Sequence, residues 1–397
     1  MLRIWMGRAN TGKSRRVLEE IRDNKREAML LVPEHASHGS ELDLCQECGP
    51  AASRYAEVLS LRQLASRVLE RTGHLADGAL DAGGKLLLMQ LALREASSQL
   101  TVYARPSRRA PFLQELVALC DELTACRVRP EDLGEAAPLL EGMSGEKARD
   151  VALIYAAYLS RLHRDGKDRR DRMELLLEHL EESSYAAGKD VYLDGFTYFT
   201  AQEMKLIEIL LRAARSVTVT LLGDDGQWEI FQQGLLARDR LTRLAAECGT
   251  RCAVEVLPAK EPKTALDYLA ERFFGPIEPW RGDCSNVELV KAESMFAEVE
   301  YVAAKILELV RSRGFRFRDI AVAARNLDEY AATIENVFER YGVPVYLSRR
   351  SDVLEKPVLS LLAGALDAVT GGYEYEDMFR WLKTGLSGLA DGECDKL

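Results

Sequence analysis

The chain of 397 residues lacks any uninterrupted apolar run of about 18 residues, the minimum that a membrane-spanning helix needs. Residues 1–6 contain Arg3 and lead directly into a glycine-containing loop, so we also expect no signal peptide. Membrane and exported proteins are therefore the wrong classes. The sequence predicts a cytoplasmic protein.

The chain is also short of positive charge, with 53 Lys and Arg against 63 Asp and Glu and a formal net charge of −10. Domains that coat nucleic acid non-specifically are usually basic, so binding of that kind is excluded for the surface as a whole. A local basic channel remains possible. Two clusters are candidates, at residues 105–109 and 161–172, and the aspartates interleaved in the second favour a solvated loop.

Histidine is scarce, with five residues, and gives Ser/His/Asp catalysis no support. The eight cysteines, without a secretory signal, predict reduced thiols. His35-x-x-His38 and Cys45-x-x-Cys48 have ligand types that suit zinc, but they also share one helix face, so zinc is the less favoured alternative. No three cysteines lie close together in sequence, and we expect no iron–sulfur ligands in this chain.

What is present, at the very start, is a phosphate-binding sequence, Gly7-Arg8-Ala9-Asn10-Thr11-Gly12-Lys13-Ser14, which matches G-x-x-x-x-G-K-[ST]. An alternating stretch precedes it and a stretch with helical spacing follows, which is the order that the motif requires. Backbone N–H groups of such a loop point at phosphates, Lys13 would reach the β- and γ-phosphates, and Ser14 would ligate Mg²⁺. The sequence predicts a site for ATP and Mg²⁺, with a chance match as the alternative.

A phosphate loop needs an acidic partner on a neighbouring strand to hold Mg²⁺ through water, and Asp194 ends an apolar strand. Motor ATPases usually place a glutamate directly after this aspartate as the base for the attacking water, whereas here Gly195 follows. We therefore expect very slow hydrolysis, because such a base contributes about 10²–10⁴-fold. Glu203 is a weak substitute, for which an exposed helix position is the favoured interpretation.

Two further side chains are candidates for the same site. Gln227 belongs to a Gly-Asp-x-x-Gln pattern that follows a strand, where a glutamine can lie near the γ-phosphate; the alternative is a polar turn. Arg325 follows a strand-like stretch late in the chain and could reach across a cleft to a phosphate; the alternative is a surface arginine.

The order of patterns predicts an α/β protein whose first sheet is interrupted. Strand-helix units occupy residues 1–82 and 186–257, a helical insertion occupies 83–185, and a linker occupies 258–285. A second α/β segment follows at 286–397, with helices at 297–311 and 327–341. Strands are expected at 28–32, 58–61, 190–194 and 217–222 in the first part, and at 287–290, 319–323 and 343–346 in the second.

Together these residues resemble the superfamily 1 helicase core, in the branch that contains the AddB subunits of AddAB-type ATP-dependent helicase–nucleases. The resemblance covers nearly the whole chain, and Asp194-Gly195-Phe196 in place of Asp-Glu is typical of AddB subunits. Besides the phosphate loop, the similar stretches are Leu31-Val32-Pro33-Glu34, Ser60-Leu61-Arg62-Gln63-Leu64-Ala65, Val191-Tyr192-Leu193, Thr200-Ala201-Gln202-Glu203, Ala292-Glu293-Ser294, Ala297-Glu298-Val299-Glu300 and Asp319-Ile320-Ala321-Val322-Ala323-Ala324-Arg325.

The resemblance implies a P-loop RecA-like domain with a helical insertion and the start of a second RecA-like domain. It implies an AddA-type helicase/nuclease subunit as partner, single-stranded and duplex-end DNA as ligand, and a role in double-strand break repair with little motor activity. In the family a nuclease domain with an iron–sulfur cluster follows at the C terminus. We expect its residues to be absent here, so the chain is either a fragment or a truncated relative.

Two other functions stay open at this stage. A stand-alone P-loop phosphotransferase would use the helical insertion as a substrate lid, although the second α/β segment argues against it. A structural DNA-clamp or assembly module with a vestigial nucleotide site is the other alternative. The affinity for ATP separates that module from the first two functions.

Overall fold

The computed structural model describes residues 1–74, 80–103, 110–162, 172–224, 229–258, 261–272, 278–348, 356–389 and 391–394. The chain divides into two compact units, Met1–Gly282 and Asp283–Leu397, and each is treated by itself. Within the described ranges, no helix is long and apolar enough to cross a membrane.

The first unit is built on a six-stranded sheet in the order β3-β2-β4-β5-β1-β6, and all of its neighbouring strands are parallel. The predicted α/β class is confirmed. The strands are β1 (Leu2–Gly7), β2 (Ala28–Leu31), β3 (Ala56–Leu59), β4 (Asp190–Leu193), β5 (Ser216–Leu222) and β6 (Cys252–Val256).

Helices cover both faces of this sheet, as parallel sheets require. The α-helices described in this unit are α1 (Lys13–Asn24), α2 (Ser37–Cys48), α3 (Leu61–Thr72), α4 (Ala82–Ala96), α5 (Ala110–Ala125), α6 (Pro130–Ala136), α7 (Met143–Leu162), α8 (Arg172–Ser183), α9 (Ala201–Ala213), α10 (Gln232–Glu247) and α11 (Ala265–Arg272). Successive side chains of β1 alternate between the faces. Ile4 packs in a core cluster with residues of α3, α8, α9 and α10, whereas Trp5 packs in a second cluster with Val17 and Ile21 of α1.

The helices α4 to α7, which lie between β3 and β4 in the chain, form a separate apolar core. Met89 and Leu93 of α4 pack there against Ile154 of α7, and all three are buried. Asp150 of α7 is fully buried, and it accepts hydrogen bonds from the backbone N–H groups of three consecutive residues, 101–103. A buried carboxylate needs such donors, and here they fix the chain directly after α4.

The first unit differs from the sequence prediction in one strand boundary, one additional strand and one additional helix. The third strand ends at Leu59 because Ser60 and Gln63 form a capping box that starts α3 at Leu61. The strand β6 was not predicted, because it lies at the sheet edge and is largely exposed, so it lacks an apolar run. The predicted linker contains a helix, α11.

The second unit contains α12 (Met295–Arg313) and α13 (Leu327–Tyr341), at the two predicted helices, and these pack on each other through Val299, Ile306 and Phe338. The described part of this unit also contains α14 (Pro357–Thr370), α15 (Tyr375–Leu382), α16 (Asp391–Cys394) and a 3-10 turn at Phe317–Asp319.

The strands predicted for the second unit are wrong for its described residues, none of which forms a strand. A strand exists only where its N–H and C=O groups pair with another strand. The predicted segments lack such pairing here. Leu289 and Tyr346, each within a predicted strand, are 98% and 90% exposed. The α/β character expected for this unit is therefore not seen in the part that the structure describes.

Candidate functional site

The phosphate-binding sequence lies between β1 and α1, as predicted, at the carboxyl end of the sheet. Gly12, which precedes the helix, has φ +94°, a conformation that glycine adopts without steric cost. The first hydrogen bond of α1 runs from the Arg16 N–H to the Gly12 carbonyl at 2.9 Å. The amides of residues 13–15 precede that bond and make the helix start suited to an anion.

Lys13 is held within the loop by two backbone oxygens. Its Nζ donates to the carbonyls of Gly7 and Arg8, at 2.7 Å each. An ammonium group has three donors, so one N–H remains for a phosphate oxygen. Burial lowers the pKa of the Lys13 ammonium, and the negative charge of Asp194 opposes this shift. The lysine is thus preorganised and accompanied by a carboxylate.

Arg8 is the second residue of the loop, and its side chain forms an ion pair. Its Nε donates to Oδ2 of Asp224, in the loop after β5, and its Nη1 donates to the carbonyl of Glu271, in α11, at 3.3 Å. The two side chains are about four-fifths buried, with 19% and 20% exposed. Neither contact was predicted.

Asp194 follows β4, as predicted, but the expectation of a strand next to the phosphate-loop strand is wrong. The strand β5 lies between β4 and β1, because β4 pairs with β2 and β5. Thr220 of that intervening strand donates its hydroxyl to Oδ1 of Asp194. Oδ2 accepts no hydrogen bond from the described residues, which leaves it for a metal-bound water.

The residue types around the loop fit Mg²⁺, which prefers carboxylate and hydroxyl oxygens and keeps several waters. Ser14 is exposed in the first turn of α1, and Asp194 is half-buried at the same sheet edge. These two residues would hold the ion, Ser14 directly and Asp194 through water. Both assignments stay predictions.

No general base accompanies Asp194 at the position where motor ATPases carry one. Gly195 has φ +82°, and a Cβ added there would lie 3.4 Å from Cδ of Pro33. A glutamate at this position would thus be strained. Glu203 is not the exposed residue that the sequence suggested, because it is half-buried and accepts a hydrogen bond from the Thr200 N–H at 2.8 Å in a capping box of α9.

The other candidates fall elsewhere. Gln227 and the cluster at 105–109 lie outside the described residues, as does most of the cluster at 161–172. Arg161 is described and is paired with Glu95 at 2.8 Å. Arg325 belongs to the second unit, where it lines a cavity of about 720 Å³ between α12 and α13, and its contact with ATP stays a prediction.

The alternative zinc site gains no support. Among the described residues, no group of three or more His, Cys, Asp and Glu side chains could hold a metal ion. Cys48 of α2 instead points at α1, where its Sγ lies 3.6 Å from the Leu18 carbonyl, and burial raises the pKa of its thiol. Cys45 is exposed.

Sequence reasoning missed Thr220 and the pairing of Arg8 with Asp224. The signal for Asp224 existed, because it belongs to the Gly-Asp-x-x-Gln pattern that was noted for Gln227. Nothing in the sequence indicated that Arg8 is its partner, because that contact depends on β5 lying next to β1.

Comparison with known proteins identifies the family to which the chain belongs. A family model described as "ADDB, N-terminal" matches residues 4–270. Over the whole chain, AddB-type subunits named as belonging to an ATP-dependent helicase/deoxyribonuclease are 35% identical in Desulforudis audaxviator, 33% in Moorella thermoacetica and 28% in Clostridioides difficile. The chain spans 36–37% of the length of these relatives. It belongs to the AddB family, and residues 4–270 correspond to that family's N-terminal region.

Proposed function

We propose that this chain is the nucleotide-binding, helicase-like region of an AddB-type subunit of an ATP-dependent helicase/deoxyribonuclease. It binds Mg·ATP between β1 and α1, works in the cytoplasm with an AddA-type subunit, and contributes to DNA repair and recombination by binding single-stranded DNA and duplex ends. The names of its relatives support the subunit role. The nucleotide assignment rests on the residues of this chain, whereas the DNA assignment rests on its resemblance to AddB subunits.

One observation carries the nucleotide proposal, namely the preorganised Lys13. Its ammonium is fixed by two carbonyls at 2.7 Å, one N–H is left over, and the start of α1 lies directly beside it. A half-buried lysine held in this way can contact a phosphate at little cost in side-chain entropy, since its rotamer is already fixed. Mg²⁺, when bound, would neutralise phosphate charge between Ser14 and Asp194.

The strand order supports a RecA-like fold for the first unit. The strand that carries Asp194 is separated from the phosphate-loop strand by one strand, and that middle strand leads into the Gly223-Asp224 loop. Three loops, from the adjacent strands β4, β5 and β1, therefore meet at one sheet edge, where ligands of open α/β sheets bind. The same edge carries no glutamate after Asp194, and we propose that hydrolysis by this chain alone is slow.

The nucleotide proposal is tested by the affinity of the 397-residue chain for Mg·ATP in titration calorimetry. Lys13→Ala removes a charge-assisted contact of roughly 2–3 kcal/mol, so we expect binding to be about 30- to 150-fold weaker. Arg15→Ala is the matched control, because Arg15 lies in the same helical turn, is 74% exposed and pairs with Glu19 of its own helix. Equal affinity of the wild type and Lys13→Ala contradicts the proposal, as does equal loss in the two variants.

A further inference from the structure

The ion pair between Arg8 and Asp224 connects the phosphate loop to the loop after β5. We propose that Arg8 and Asp224 are positioning residues for Lys13, and that their ion pair fixes the backbone carbonyl that holds the lysine ammonium. The inference deepens the proposed function, on which its value for ATP binding rests. It concerns residues that the phosphate-binding motif leaves unspecified, since any residue type fits the second position of that motif.

The side chain of Arg8 is anchored at two points. Nε donates to Oδ2 of Asp224, and Nη1 donates to the Glu271 carbonyl at 3.3 Å. A planar guanidinium with two fixed donors cannot rotate without breaking both contacts. Partial burial of the pair keeps it from being screened as a surface ion pair is.

The backbone of the same residue holds Lys13. The Arg8 carbonyl accepts from Nζ of Lys13 at 2.7 Å and from the hydroxyl of Thr11 at 2.9 Å. Asn10, in the same short loop, has φ +60°, so the loop is already in a conformation that unconstrained chains rarely adopt. Releasing the Arg8 side chain would free this peptide to turn, and Lys13 would lose one of its two acceptors.

The ion pair also decides which cation of the loop faces the phosphates. The charge of Arg8 is compensated by Asp224, and two of its donors are in use, so Lys13 is the loop's cation for the ligand. Because Asp224 lies just after β5, a displacement of that loop would be transmitted through Arg8 to the Lys13 ammonium. The loop after β5 thereby influences the position of the Lys13 ammonium through Arg8.

The first test measures Lys13 directly and needs no nucleotide. The full chain is treated with a small amine-acylating ester, and the rate of Lys13 modification is followed by peptide mass spectrometry. We expect Asp224→Asn to raise this rate about 3- to 10-fold, because one hydrogen bond to the ammonium is weakened. Lys189, which is paired with Glu57 at 2.6 Å, is the internal control and should react at an unchanged rate. An unchanged rate for Lys13 overturns the inference.

The second test is a double-mutant cycle on Mg·ATP affinity. We expect Asp224→Asn to weaken binding about 3- to 10-fold in the wild type and to have no further effect in Lys13→Ala, because it acts through the lysine. Equal losses in both backgrounds mean a general structural role and overturn the inference. Arg8→Lys keeps a positive charge for Asp224 but loses the hydrogen bond to the Glu271 carbonyl. Its affinity for Mg·ATP should lie between those of the wild type and Asp224→Asn.

The two proposals fail separately. If the wild type does not bind ATP but Asp224→Asn still accelerates Lys13 acylation, the nucleotide function is wrong and the positioning inference is supported. If the wild type binds ATP and neither the acylation rate nor the affinity responds to Asp224→Asn, the nucleotide function is retained and the positioning inference is overturned.

Discussion

At the scale of single residues, we expect Lys13 to make the proposed nucleotide binding dependent on pH. Burial lowers the pKa of its ammonium below the ordinary value of 10.5, whereas bound phosphates favour the charged form. As the pH rises through the lowered pKa, the free protein loses a proton that ATP binding must restore, so the affinity falls. By the same linkage, this lysine makes the free energy of unfolding rise with pH between its folded and unfolded pKa values.

Calorimetry of ATP binding across the alkaline range, in two buffers of different ionisation enthalpy, measures the proton uptake. We expect the affinity for ATP to begin to fall at a lower pH than it would if the pKa of Lys13 had the ordinary value of 10.5. Lys13→Arg is the control, because a guanidinium stays charged throughout, and its affinity should be flat with pH even if it is weaker. A wild-type affinity that is equally flat contradicts the prediction.

Gly195 has a backbone conformation that a residue with a Cβ adopts only at a cost in stability. Its φ of +82° costs a residue with a Cβ about 1–2 kcal/mol, so Gly195→Ala should lower the free energy of unfolding by roughly this amount in urea titrations. Gly134→Ala is the control, because Gly134 lies within helix α6 with open space around its Cα, and this change should be neutral or stabilising.

The strain at position 195 also means that Gly195→Glu does not restore a catalytic base. Because the backbone at position 195 has a positive φ, the new side chain would point in a different direction from that of a residue with strand geometry. We expect its DNA-stimulated ATP turnover to equal that of the wild type, within about twofold. A gain of about 100-fold or more, as a working base would give, shows that the backbone relaxes and that the missing carboxylate alone limits hydrolysis.

At the scale of elements, the start of α9 depends on a reciprocal cap. Thr200 accepts from the Glu203 N–H, and Glu203 accepts from the Thr200 N–H. Thr200→Ala should therefore cost about 1 kcal/mol of unfolding free energy. Thr242→Ala, on the exposed face of α10, is the matched control and should stay within about 0.5 kcal/mol of the wild type. Equal stability of Thr200→Ala and the wild type would show that the cap contributes nothing.

How well the sequence predicts an element depends on how the element is covered. The strands β2 and β4 are buried along their whole length, so their apolar runs were visible and their predictions are confirmed, whereas β1 was predicted from the alternating stretch before the phosphate loop and is also confirmed. The edge strand β6 is largely exposed and contains Glu255. Because it lacks an apolar run, the sequence did not predict it. The opposite difference is found in the second unit, where apolar segments predict strands but their described residues pair with no other strand.

In the candidate site, residues that belong to a local sequence pattern could be predicted, whereas contacts between distant segments could not. Lys13 and Asp194 could be predicted because each belongs to a local pattern, a loop or a strand end, that the sequence carries in full. Thr220 as the partner of Asp194, and Asp224 as the partner of Arg8, follow only from the order of strands in the sheet. Strand order is a long-range property, and no local pattern encodes it.

At the scale of the whole molecule, the net charge of −10 restricts DNA binding to local positive regions. We expect the affinity for single-stranded DNA to fall steeply with salt, by a slope of about −0.7 for each neutralised phosphate. Fluorescence anisotropy with a labelled oligonucleotide at several salt concentrations measures the slope. A duplex of the same length without free ends is the control and should bind more weakly. A flat affinity between low and physiological salt excludes phosphate contacts as the basis of binding.

The sheet order has a consequence for how the protein is made. The strand β1 pairs with β5 and β6, so it acquires a neighbouring strand only after synthesis has reached Ser216, where β5 begins. Likewise β2, whose Leu31 lies opposite Leu193, meets β4 only after the helical insertion has been synthesised. Contacts this distant in sequence form slowly, whereas the insertion can collapse on its own core. We therefore expect nascent chains that stop before Ser216 to carry the phosphate-binding sequence without the strand that positions it in the sheet.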